Sequence, residues 1–226
     1  MSAKPIPIEI LTDDSSVALR AAELVVEHAT AAILERGSFT LAVSGGHTPG
    51  QMFADLARRE DFPWEQTAIY QVDERIAPDG DPDRNLTLLW DNLSSEAIGR
   101  LHPMPVTADD LDAAADAYAN ALPARFDLIH LGIGADCHTA SLVPGDPVLD
   151  VIDRDVALTA EYMGLPRMTF TYPLLNRARA LLWLIAGEAK RDALARLQVG
   201  DESVPAGRVS REHAQIVADS AAAGNR

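Results

Sequence analysis

Short apolar runs alternate along this chain with longer stretches in which apolar residues return every three or four positions. The runs read Ile6-Pro-Ile-Glu-Ile-Leu11, Phe39-Thr-Leu-Ala-Val43, Thr67-Ala-Ile-Tyr-Gln-Val72, Phe126-Asp-Leu-Ile-His-Leu131, Ala180-Leu-Leu-Trp-Leu-Ile-Ala186 and Gln215-Ile-Val-Ala-Asp219. A brief apolar run closed by turn residues is the pattern of a strand buried on both faces of a parallel sheet. The prolines of the first run assign it to a sheet edge. The run at 180–186 is the most apolar and is expected to be central. Val156-Ala-Leu-Thr-Ala160 is a further strand candidate, and Leu101-His-Pro-Met-Pro105 a short extended segment.

Between the runs the period changes to that of a helix. Val17, Ala21, Leu24, Val25, His28 and Ala32 share one face, with Asp13, Asp14 and Ser15 as cap candidates before them and Gly37 as a stop after them. A second helix is expected from about 50 to 59, with Thr48 as its cap and Pro49 in its first turn. Arg84-Asn85 opens a third, whose packed face is Leu86, Leu89, Trp90 and Leu93. Thr107 is expected to cap a fourth, with Leu111, Ala114, Ala115, Tyr118 and Leu122 on one side and Pro123 at its end. A short helix near 173–176 and one carrying Ala193, Leu194 and Leu197, stopped near Gly200, complete the set. Strands alternating with helices predict an α/β fold, a Rossmann-like, doubly wound, mostly parallel sheet with helices on both faces.

Such sheets bind ligands outside the carboxyl ends of their strands. Four strand ends here carry polar clusters: Ser44-Gly-Gly-His-Thr-Pro49, Asp73-Glu-Arg75, Gly132-Ile-Gly-Ala-Asp-Cys-His138 and Gly187-Glu-Ala-Lys190. The first reads as a glycine turn whose backbone N–H groups, with the helix N-terminus behind them, can face an anion; an ordinary tight loop reads the same way. The second is placed for ligand contact, or equally for a solvated salt-bridge cluster. The third brings an acid and an imidazole, Asp136 and His138, past a strand end; a glycine turn with a capping Asp is its plain alternative. One such end is commonplace, whereas four in register describe one crevice. The Pro-, Gly- and Asp-rich stretch 77–83 is a candidate lid.

Composition narrows the ligand. The formal charge of −15 argues against nucleic-acid binding, which needs a basic surface, and requires that any anionic ligand meet a local cluster of cations. The single cysteine, Cys137, permits neither an intrachain disulfide nor a cysteine-based metal site. The aspartates at 109, 110, 112 and 116 read as a solvated helix face, with no metal site. No apolar run reaches membrane-spanning length and the N-terminus lacks a signal core. A soluble cytoplasmic protein is expected, with one domain over residues 1–226, as a monomer or small homo-oligomer.

Ser44-Gly-Gly-His-Thr-Pro49, Val72-Asp-Glu-Arg75, the 132–142 stretch, Arg167-Met-Thr169 and Gly187-Glu-Ala-Lys190 stand in an order that resembles the 6-phosphogluconolactonases. The resemblance runs from about Leu41 to the end, and Val204-Pro-Ala and Asp219 resemble the family's closing pattern. It implies hydrolysis of 6-phospho-D-glucono-1,5-lactone to 6-phosphogluconate in the oxidative pentose phosphate pathway, a fold shared with sugar-phosphate isomerases, and no cofactor or metal. It implies His138 as general base, Asp136 orienting its ring, and Arg75 at the developing oxyanion or a lactone oxygen. Gly45 and Gly46 N–H groups in the loop from Ser44, with Thr48, would hold phosphate, and Arg167 and Lys190 would supply its positive charge. Asp73 would bind sugar hydroxyls, and Asn85 matches a family asparagine.

Cys137 departs from the pattern, since the family usually has Gly there; a positive φ would strain a cysteine by about 1–3 kcal/mol. A thiol beside the base also admits a nucleophile reading, set against a small packing role. The nearest alternative is a glucosamine-6-phosphate isomerase/deaminase-like enzyme. That family resembles Asp-Glu-Tyr at 73–75 and carries a Glu-Pro shortly after its histidine, where this chain has Thr139-Ala-Ser-Leu-Val-Pro144. A non-enzymatic sugar-phosphate sensor is the other alternative.

Overall fold

Each of the longer apolar runs becomes a strand in the computed structural model, which describes residues 5–224. In chain order the elements are β1 (Ile8–Leu11), α1 (Asp14–Arg36), β2 (Phe39–Val43), α2 (His47–Ala57), β3 (Thr67–Gln71), β4 (Asp73–Arg75), α3 (Asn85–Asn92), α4 (Ser95–Ile98), β5 (Leu101–His102), α5 (Leu111–Ala121), β6 (Leu128–Leu131), β7 (Val156–Leu158), β8 (Arg167–Phe170), α6 (Tyr172–Leu175), β9 (Leu181–Ile185), α7 (Arg191–Val199), β10 (Ala214–Asp219) and α8 (Ser220–Ala223).

Seven strands form one sheet in the order β1-β10-β9-β6-β2-β3-β5, every pair parallel. β1 takes the expected edge. Side chains alternate between two apolar layers, as the pleat requires. On β9, Trp183 and Ile185 pack with α5, α6 and α7, while Leu182 and Leu184 pack with α1 and α2. Helices therefore cover both faces and the fold is doubly wound. From β2 the chain runs outward to β3 and β5, then returns to the other side of β2 at β6 and continues to β9 and β10. The junction of β2 and β6 is thus the switch point, where the two outgoing connections diverge and leave a crevice.

A second, three-stranded antiparallel sheet, β4-β8-β7, was not expected. The chain passes between the sheets at Val72. Its N–H donates to Val43 O at 2.9 Å in the main sheet, and its carbonyl accepts from Phe170 N at 2.7 Å in the small one. Asp73-Glu-Arg75 is therefore a strand of its own rather than a loop at the end of β3.

Three expectations about helices are corrected. Gly46, at φ 127°, is the N-cap of α2 and no side chain caps it, so the helix starts at His47 and Thr48 lies inside its first turn. The fourth helix is capped by Asp110, whose carboxylate accepts the Ala113 N–H at 3.0 Å, not by Thr107, which lies a full turn too early. Trp90 is 43 % exposed: the eight-residue α3 turns Leu86 and Leu89 inward, and the residue after Leu89 falls off that face. Asp13, Gly37 and Gly200 cap as expected.

Candidate active site

The four polar strand ends open on one crevice of about 490 Å³. Ser44, Gly45, Gly46, Thr48, Asp73, Arg75, Asn85, His138, Arg167 and Lys190 all line it; of the expected residues only Asp136 stands behind the wall. None of residues 77–83 reaches it. That stretch is tied down by Arg84, whose buried guanidinium donates to Ala77 O at 3.4 Å and Asp79 Oδ1 at 2.6 Å.

The acid and imidazole past β6 are held by a tight turn. Cys137 N–H donates to Gly134 O and Gly134 N–H to His138 O, both at 2.9 Å. His138 Nδ1 lies 2.6 Å from Asp136 Oδ1, and the His138 N–H points at the same oxygen at 3.2 Å. A Cβ on residue 134 would come within 2.1 Å of His138 Nδ1 and 2.4 Å of Asp136 Oδ1, so the pair can close only over a glycine. With the Nδ1 proton facing the carboxylate, Nε2 is the ring's free lone pair. Burial alone would raise the Asp136 carboxyl. The charge of His138, its two hydrogen bonds and the Tyr162 hydroxyl outweigh that, and Asp136 titrates below the usual carboxylate range.

The two guanidiniums come from the small sheet. β4 and β8 place Arg75 directly opposite Arg167. Arg167 is 5 % exposed, and its Nε has no hydrogen-bond partner among the described residues. Burial, then the adjacent Arg75, holds its pKa below the ordinary guanidinium value. Two like charges opposed on a sheet repel, which suits a place where an anion is to sit.

Arg75 also donates to Asn85 Oδ1, and Asn85 Nδ2 donates to Asp73 O at 2.9 Å and Asp73 Oδ1 at 3.2 Å. Asp73 Oδ2 accepts Ser141 Oγ at 2.6 Å. Beneath them Glu74, fully buried, accepts the N–H groups of Arg75, Asn85 and Leu86, each at 2.8 Å, and Gln71 Nε2 at 2.9 Å. This carboxylate at the start of α3 anchors the asparagine. A Cβ on residue 45 would lie 2.0 Å from Asn85 Oδ1, so Gly45 is required by that asparagine's close approach. The uncapped N-terminus of α2 begins at the next residue and leaves N–H groups facing the crevice.

Some participants escaped the sequence, or, like Asp219, were noted there without a role. Asp14, read only as a cap candidate, lines the crevice and accepts the Thr48 hydroxyl, so that hydroxyl's proton is not free for a ligand. Asp219 accepts Gly187 N–H with both oxygens, at 3.1 and 2.9 Å, and so holds the turn before Lys190. His130, inside the β6 run, accepts the Ser44 N–H at its Nδ1, 3.3 Å away. Tyr162 had no signal at all, since nothing in its local pattern marks it.

Cys137 adopts φ 68°, the left-handed region suited to glycine. It is 3 % exposed and packs in the core. It does not line the crevice but a separate pocket, beside Arg196. Burial raises its thiol pKa, so the geometry favours packing over nucleophilic attack. Among the described residues no three His, Cys, Asp or Glu converge as metal ligands, and no helix is long and apolar enough to cross a membrane.

A family model described as glucosamine-6-phosphate isomerases/6-phosphogluconolactonase matches residues 12–218. The chain is 39 % identical over 203 residues to a 6-phosphogluconolactonase of Synechocystis, covering 84 % of each chain. It superimposes on the crystal structure of a 6-phosphogluconolactonase from Thermotoga maritima with TM-score 0.83 at 25 % identity, over 94 % of this chain and 98 % of that one. A monomeric glucosamine-6-phosphate deaminase shares the fold, with TM-score 0.84 at 19 % identity over 98 % of this chain and 100 % of its own. The fold is common to both activities, and the close sequence relatives carry the lactonase name. The chain belongs to the 6-phosphogluconolactonase family.

Proposed function

We propose that the protein hydrolyses 6-phospho-D-glucono-1,5-lactone to 6-phosphogluconate, as a single domain over residues 1–226 working on the cytoplasmic sugar-phosphate pool. The observation that carries this is the placement of an Asp136-oriented imidazole and two opposed guanidiniums on one crevice with an uncapped helix N-terminus. His138 Nε2 takes a proton from water as its oxygen attacks the lactone carbonyl carbon. The carbonyl oxygen becomes an oxyanion beside Arg75. The tetrahedral intermediate collapses by breaking the bond to the ring oxygen, and the imidazolium returns the proton to that oxygen. The immediate products are a carboxylic acid and a hydroxyl, and the acid releases its proton to solvent to become the carboxylate. Each step needs only a group that moves one proton and a fixed cation.

The remote phosphate is assigned to the Ser44-Gly45-Gly46 turn and the first N–H groups of α2, with Thr48 contributing its main chain, and to Arg167 and Lys190. Asp73 and Asn85 face the sugar. The deaminase alternative loses support because no glutamate follows His138 through Pro144 and because Arg75 replaces its tyrosine. A coupled assay with the phosphorylated lactone, its unphosphorylated form and glucosamine 6-phosphate decides among them. Expected are turnover of the phosphorylated lactone alone, a loss of about 10²–10⁴-fold in kcat for His138→Ala, and for Arg167→Ala a raised KM. Unchanged hydrolysis in His138→Ala would remove that residue as base, and release of ammonia from glucosamine 6-phosphate would replace the reaction.

A further inference from the structure

Tyr162 belongs to none of the motifs behind the functional reading, yet its side chain touches both halves of the site. Its hydroxyl donates to Asp136 Oδ2 at 3.0 Å, while Asp136 Oδ1 faces His138 Nδ1 at 2.6 Å. The carboxylate thus gives one oxygen to the imidazole and the other to the phenol. The tyrosine ring meets the imidazole edge-on, with centroids 5.5 Å apart at 63°. On the same ring sits the Arg167 guanidinium, its Cζ 5.0 Å from the centroid.

The backbone fixes where this side chain points. Tyr162 N–H donates to Leu165 O at 3.1 Å and Leu165 N–H to Tyr162 O at 3.4 Å. Met163 and Gly164 between them both have positive φ, 54° and 89°. This is a two-residue hairpin turn, the tightest way to reverse an extended chain. It runs through Pro166 into β8, the strand that bears Arg167. The tyrosine and the arginine are therefore carried by one short, rigid piece of chain.

We propose that Tyr162 is a positioning residue for the lactonase reaction, its hydroxyl holding Asp136 in the orientation that aims His138 and its ring seating the Arg167 guanidinium. The proposal rests on the reading of His138 as general base. Burial and the bond to Asp136 keep the phenol protonated, and so a donor, at neutral pH. Rotation of Asp136 is the freedom it removes: without the phenol, only the imidazole and one backbone N–H restrain the carboxylate.

The two contacts can be separated by substitution. Tyr162→Phe keeps the ring and deletes the donor; Tyr162→Leu deletes both. In the phosphorylated-lactone assay, Tyr162→Phe is expected to lower kcat by about tenfold with KM unchanged, as for loss of one hydrogen bond to a charged group. Tyr162→Leu is expected to show that same fall in kcat and also a rise of about fivefold in KM, from loss of the cation–π contact. A residue that only supports the fold would change both constants alike in the two variants and lower their melting temperatures. Wild-type kcat in Tyr162→Phe, or equal KM in the Phe and Leu variants, overturns the proposal. Hydrolysis that survives in His138→Ala sinks the base reading instead, whatever Tyr162 does.

Discussion

Burial of His130 makes the stability of this protein fall with acid. It lies on β6 in the middle of the main sheet with no exposed surface. Its Nδ1 accepts the Ser44 N–H, so the ring proton sits on Nε2, which has no partner among the described residues. Charging the ring would aim a second N–H at the Ser44 N–H, away from water. Burial pushes its pKa down to about 3 from 6.5. The unfolded chain takes up this proton near 6.5 and the folded chain only near 3, so between those values the unfolded state binds more protons. Stability is whole above 6.5 and is lost as pH falls towards 3. At about 1.4 kcal/mol per unit, going from about pH 7 to about pH 5 removes about 2 kcal/mol.

The perturbation is His130→Asn, which keeps an acceptor for the Ser44 N–H but cannot titrate. Urea unfolding of both proteins at several pH values gives the difference in their stabilities, in which the carboxylates common to both cancel. At neutral pH the variant is the less stable, having lost ring packing. By about pH 5 that gap should close by about 2 kcal/mol. Parallel curves would mean that His130 is charged or solvated in the folded state, and the reasoning would fail. The same residue joins fold to site, because the N–H it accepts begins the turn assigned to phosphate.

Three further outcomes are expected. Gly134→Ala forces a methyl to within 2.1 Å of His138 Nδ1, so kcat/KM should fall by at least about 10²-fold, a misplacement of the base, with an unchanged circular dichroism spectrum; near-normal activity would show that the pair does not act as placed. Cys137→Ala should keep hydrolysis within about twofold, since Cys137 does not line the crevice, and near-complete loss would revive the nucleophile. Glu74→Gln leaves Arg84, 3.3 Å away and 2 % exposed, without its buried counter-charge, at a cost of about 3 kcal/mol; an unaltered melting temperature would count against the anchoring role.

What could be read from the chain follows from the range of each interaction. Strands, helix stops and the clustering of polar strand ends are local patterns, and they were legible. The small antiparallel sheet was not, because its strands are three or four residues long and β4 pairs with β8 across almost a hundred positions. Thr107 and Asp110 are both good caps, and only packing chose between them. Thr48 looked like a cap because Gly46, the actual cap, acts through its backbone alone. His130 was hidden by lying inside an apolar run, where a buried neutral imidazole looks like a sequence irregularity. Tyr162 depends on a hairpin that brings residue 162 to residue 136, a contact no spacing rule encodes.

The charge of the crevice bears on Asp73-Glu-Arg75, ambiguous as sequence and assigned above to ligand binding. A chain of formal charge −15 repels an anionic substrate, so attraction must be built locally and shielded from water. The small sheet does this by crowding: Arg75 and Arg167 are cross-strand partners, so the register holds their backbones opposite each other. Asp73 and Glu74 offset part of the repulsion but not all of it, because Glu74 is also the counter-charge of the buried Arg84, 3.3 Å away. The residual repulsion is lowered by any anion that enters, whether a phosphate or an oxyanion forming on a lactone. Both guanidiniums feel that anion, so their contributions cannot be independent. Removing either relieves the other, and removing both should cost less transition-state stabilisation than the two single losses added together. A solvated salt-bridge cluster would show the opposite, with each charge acting alone and weakly.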